Sequence, residues 1–173
     1  DLKIKYKTIY KELNKYSYDF LKKINLKYIV LCENLSISEI HTAGIPDNIM
    51  KTLILDIEFN KKYFERVIHH EVFHIINLSY KELFNENEWI NFNKKDFQYA
   101  KCSTCTDKID LNTYIDTDGF LTEYSKTTPS EDMAEVFSHI MFDINIPNND
   151  SILQRKKEFI IKNILKVDKT FKF

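Results

Sequence analysis

Apolar positions along the chain fall into helical and strand-like stretches. Ile9, Leu13, Tyr16, Phe20 and Leu21 recur mostly at three- or four-residue spacing, which predicts an amphipathic helix over 7–24. "KYIVLCENL" (27–35) is a β-branched run and reads as a buried strand, and "KTLILDIEF" (51–59) as a second. Between them "HTAGIPDN" (41–48) carries turn chemistry, with Gly44, Pro46 and Asp47 supplying the bend. Asn60 is placed to cap a helix over 61–78, in which Tyr63, Phe64, Val67, Ile68, Val72, Phe73, Ile75, Ile76 and Leu78 cover every direction. A helix that is apolar all round is buried.

The next stretch, 81–127, is long and polar, so a short helix and a hairpin are expected within it. "TPSEDMAEVFSHIMFD" (128–143) predicts a helix with Pro129 in its first turn and Met133, Val136, Phe137, Ile140 and Met141 as its apolar stripe. A last helix, about 151–166, would bury Leu153, Ile160, Ile164 and Leu165. The order implies one α+β domain over 1–173. It has an N-terminal helix and strands to about 60, two functional helices over about 61–143, and a C-terminal helix.

Composition removes several classes of function. The 173 residues carry 25 basic and 26 acidic side chains, a formal charge of −1, which gives no general attraction to nucleic acid or anionic lipid. Two glycines exclude a glycine-rich phosphate loop, and no stretch approaches the ~20 apolar residues of a membrane helix. The lysines of the first 27 residues read as a solvated helix face. A chain that starts at Asp1 with no apolar leader is expected to be a mature or trimmed form.

The buried helix holds the informative chemistry. Three of the five histidines and a glutamate sit in "RVIHHEVFHIINL" (66–78), among valine, isoleucine and phenylalanine. His70-Glu71-Val72-Phe73-His74 fits HExxH, a pattern that arises by coincidence in only about 1% of chains of this composition. Residues four apart lie one above the other on a helix, so both imidazoles can reach one zinc ion, with Glu71 beside them as general base. His69 points about 100° away and is expected to pack elsewhere.

A catalytic zinc needs a third protein ligand. A third histidine at the metzincin spacing is excluded, because Tyr80 stands there and Asn77 replaces the glycine. His41, His139, Glu131, Asp132 and Glu135 remain open. Thr128 to Glu131 also reads as a capping box, and Glu131 and Glu135 lie opposite the apolar stripe, where a solvated face is expected. Cys102 and Cys105 form a lone CxxC that lacks the partners of a structural zinc site.

"HHEVFH" followed by "GFLTEYSKTTPSEDMAEVF" (119–137) resembles the gluzincin metallopeptidases related to anthrax lethal factor and the clostridial Pro-Pro endopeptidases, and bacterial zinc metallopeptidases with an "EDxAE" helix. The resemblance implies a zincin-like fold and one catalytic Zn2+ held by His70, His74 and Glu131. It implies Glu71 as general base, Tyr124 as oxyanion stabiliser and Glu135 as a carboxylate holding a ligand histidine. It further implies a secreted or cell-envelope endopeptidase acting on protein or peptide. The chain is expected to be a monomer, and Cys102 and Cys105 form either a local disulfide in an exported protein or two free thiols in a reducing compartment. Phe73 departs from the family's usual glycine, and the interval from His74 to Glu131 is long. The alternative is a zinc-bearing binding module without turnover; Glu71 and Tyr124 argue against it, since a structural zinc needs neither.

Overall fold

The computed structural model describes residues 2–37, 39–47 and 49–173. Residue 48, the end of the expected 41–48 turn, lies outside them. The elements in order are α1 (Leu2–Leu13), α2 (Tyr18–Lys23), β1 (Tyr28–Cys32), β2 (Ser36–Ile37), β3 (Ile40–His41), β4 (Gly44–Asp47) and β5 (Thr52–Asp56), then α3 (Lys61–Ser79), α4 (Glu86–Ile90), a 3-10 turn at Tyr124–Lys126, α5 (Pro129–Met141) and α6 (Ser151–Val167). This is the expected mixed α+β architecture, a small sheet followed by helices.

Four expectations need correction. The single helix over 7–24 is two, because Tyr16 turns inward and Ser17 caps a new helix, its hydroxyl accepting from the Phe20 amide at 3.1 Å. The stretch read as a turn holds β4, which pairs antiparallel with β5 in the register Gly44–Leu55 to Asp47–Thr52. Gly44 and Pro46 are tolerated because β4 is an edge strand, whose sheet partner among the described residues is β5 alone. The strand read as buried, β1, is the other edge: Tyr28, Ile29 and Val30 are exposed, whereas β5 between the two edges is buried at Thr52, Leu53, Leu55 and Asp56. A β-branched run does not say which strand is central; pairing does. The 81–127 segment contains the short helix α4, but among the described residues it holds no hairpin.

Asn60 starts α3 by accepting from the Lys62 amide at 3.0 Å, and the helix is buried from Phe64 to Asn77 save Glu65. It packs chiefly against α5. Phe73, Phe137 and Phe84 meet ring to ring at this contact, with Phe73 5.4 Å from Phe137 and 5.1 Å from Phe84 between centroids. Each such ring contributes roughly 1.5–3 kcal/mol by leaving water. Trp89 of α4 fills the far side of α5 against Phe159 of α6, 5.5 Å away. Thus α5 is packed on both flanks, and its buried residues include Asp132, Glu135, Ser138 and His139 beside the apolar stripe.

Candidate metal and catalytic site

The α3–α5 contact brings three side chains to one point. His70 Nε2 lies 2.9 Å and His74 Nε2 3.2 Å from the same Glu131 oxygen, and the two imidazole nitrogens are 3.2 Å apart. The helical spacing of four puts the two rings on one sector of α3. Thr128 puts Glu131 opposite them, because its hydroxyl caps α5 through the Glu131 amide at 3.2 Å. The capping box is therefore half used: Thr128 caps, while the Glu131 carboxylate faces the imidazoles.

Donor chemistry and spacing both fit a cation at the centre of this triangle. Tetrahedral zinc with bonds of about 2.0–2.1 Å sets neighbouring donors about 3.3 Å apart. The far ring nitrogens are engaged in the way such a site requires. His70 Nδ1–H donates to Glu135 at 2.9 Å, and His74 Nδ1 lies 3.3 Å from the Ser130 hydroxyl, which accepts from Asn77 at 3.2 Å. Both Nε2 atoms thereby face the shared point. Burial pushes the His70 ring down in pKa, yet Glu131 and Glu135 pull it up to about 10. Glu131 stays below the usual carboxylate range against its own burial because His74 and His70 face it. The pocket is built to hold positive charge.

Glu71 stands in the same cleft, buried, with Oε2 lacking a hydrogen-bond partner among the described residues. Burial raises its pKa, against the pull of His70 and His74. The Tyr124 ring is 5.9 Å from the His70 ring, and burial, with Glu131 and Glu71 nearby, holds its phenol protonated far above the ordinary range.

Glu135, expected on a solvated face, is 2% exposed, since α5 is covered on that side too. Its Oε2 accepts from Arg66 at 2.5 Å and from the Thr122 hydroxyl at 2.9 Å. Arg66 also donates to the Leu111 carbonyl at 2.6 Å, tying this carboxylate to the loop that walls the cleft. Arg66, Thr122, Ser130 and Asn77 escaped the sequence reading. Arg66 carried a usable signal: it is one of two arginines in the chain and lies one turn before His70 in an apolar helix.

The remaining histidines are committed elsewhere. His69 faces α1, accepting from the Tyr16 hydroxyl at 2.7 Å and donating to Glu12 at 3.0 Å. His41 meets Asp56 at 2.8 Å. His139 donates from Nδ1 to the Glu135 carbonyl at 2.7 Å and accepts from Thr113 at 2.9 Å. Neither His41 nor His139 reaches the triangle, and Asp132 points to the far flank of α5, toward Trp89 and Lys156.

The cleft encloses about 450 Å³. Its walls are Ile37 and Ile40 of the β2–β3 pair, β4, and the segment from Ser103 to Leu111. Cys102 and Cys105 are paired as a disulfide, Cα atoms 5.4 Å apart, and the two residues between them line the cleft. The strand facing it is the edge strand β4, not β5, whose two sides are taken by β1 and β4. An extended peptide therefore finds no unpaired side on β5. A larger hollow of about 610 Å³, lined by Lys94, Asp96, Tyr114, Asp116, Asp118 and Lys126, contains none of the triangle's donors.

A family model described as "Putative zinc-binding metallo-peptidase" matches residues 3–166. No curated protein and no solved structure matches the chain.

Proposed function

The chain belongs to this zinc-binding metallopeptidase family, and from that premise we propose that it is a zinc-dependent endopeptidase of the gluzincin type, with His70, His74 and Glu131 as ligands. One observation carries the reading: a buried Glu71 carboxylate, its Oε2 without a hydrogen-bond partner among the described residues, shares a cleft with a converging His–His–Glu triangle beside the edge strand β4.

Zinc held there would supply a Lewis acid for the scissile carbonyl and for water. A peptide laid along the outer edge of β4 presents its backbone to the cleft. Glu71 takes a proton from the attacking water as the water oxygen bonds to the carbonyl carbon. Its raised pKa suits it to hold that proton and pass it to the nitrogen as the C–N bond breaks. Negative charge moves onto the carbonyl oxygen, and the protonated Tyr124 phenol donates to it. Glu135, neutralised by Arg66, fixes the ring of His70 throughout. The disulfide beside the cleft fits secretion or a cell-envelope location.

The test is a peptide-library digest by the zinc-loaded chain and by Glu71→Gln. The variant is expected to keep its zinc and lose ~10²–10⁴-fold in rate. Wild-type activity without zinc, or equal activity in the two, would overturn the assignment.

A further inference from the structure

Gly44 is read from sequence as a turn residue, yet it opens β4 and pairs with Leu55 in ordinary strand backbone. Gly119 is the one glycine with a positive φ, so conformation does not explain Gly44. Space does. A Cβ built there would stand 2.6 Å from Glu71 Cγ, 2.9 Å from Cδ and 3.1 Å from Oε1. Carbon atoms do not approach that closely; their contacts settle at about 3.5–4.0 Å. The Glu71 side chain therefore lies directly on the β4 backbone, in the space a side chain at residue 44 would fill.

The contact matters because little else fixes this carboxylate. Among the described residues Glu71 Oε2 is buried without a hydrogen-bond partner, unlike Glu131 and Glu135, each of which meets an imidazole. An acid anchored by hydrogen bonds would return to its place after a small push. One located by packing moves to wherever packing allows.

We propose that Gly44 is a positioning residue for Glu71, its missing side chain setting where the general base stands relative to the ligand triangle. The inference rests on the peptidase reading for the role of Glu71, and on the contact alone for the geometry. It also ties the strand offered to substrate to the base that acts on it: the two are in van der Waals contact, so a peptide seated on β4 is registered against Glu71 directly.

The test uses the full chain with Gly44→Ala, Glu71→Ala and the double variant. With zinc bound, Gly44→Ala is expected to lose up to ~10²-fold in kcat, the scale of a misplacement of about 1 Å, with KM little changed and zinc content intact. Thermal unfolding supplies a readout that needs no activity. Gly44→Ala should lower Tm in the wild-type background and leave it unchanged in the Glu71→Ala background, where the space has been vacated. An unchanged kcat, or the same fall in Tm in both backgrounds, overturns the proposal. Absence of turnover in the wild type overturns the peptidase reading and the role assigned here with it, while the unfolding cycle still reads the contact.

Discussion

His139 shows how much a single buried side chain can weigh. Burial and the nearby Arg66 guanidinium push its pKa from 6.5 down to about 4, so the folded protein holds it neutral. The unfolded chain protonates it near 6.5. Stability from this group is therefore complete above about pH 6.5 and lost as pH falls toward 4, on the order of 3 kcal/mol across that window. Urea unfolding at pH 7.5 and pH 5 should show the loss in wild type, and His139→Gln should flatten this part of the profile. The residues that touch a reacting group were the most legible ones. His70, Glu71 and His74 are visible because helix geometry turns a spacing of four into a shared face. Glu131 was visible only as one of several acids, since the same letters encode a helix cap. Gly44 and Arg66 act through space across elements, and no local pattern records that.

Among the elements, α5 departs furthest from what its sequence suggests. An amphipathic rule assigns one face to water, but α3 covers one flank and α4 with α6 the other. The consequence is a second buried polar cluster one residue beyond the third proposed ligand. Asp132 Oδ2 accepts from Trp89 at 2.9 Å, Tyr99 at 2.6 Å and Lys156 at 2.6 Å, while Lys156 also donates to the Gly119 carbonyl at 2.7 Å. Asp132 and Lys156 are both fully buried. Removing one partner leaves the other charge stranded, at a cost of about 3–5 kcal/mol. Asp132→Ala should therefore lower the urea midpoint sharply, and Asp132→Leu with Lys156→Met should restore most of it. The strands show the same limit on reading. β1 and β5 look alike as sequences, and β4 looks like a turn, because which strand is flanked on both sides is a property of the pairing.

For the molecule as a whole, folding and ion binding are linked. The triangle comes from two helices separated by the whole 81–127 segment, so the unfolded chain has no preformed site. Zinc at a hundred times its dissociation constant should stabilise the fold by ~2.7 kcal/mol, and a chelator should remove that gain. In Glu131→Ala the zinc-dependent rise in Tm should shrink or vanish, which calorimetry with and without zinc would read. The fold class was legible because strands preceding long helices leave few arrangements. The walls of the cleft were not, because the Ser103–Leu111 segment has no periodicity and is placed by Arg66 and the disulfide.

Glu131 and Asp132 are neighbours that face opposite flanks of α5, one toward the imidazoles and the other toward Lys156 of the last helix. On a ribosome, both histidines emerge long before Lys156 does. Until α6 docks, Asp132 lacks its counter-charge and α5, seated on α3, has its other flank only partly covered. The order of the chain thus leaves the flank behind the third proposed ligand to be closed last, by the final helix to be made.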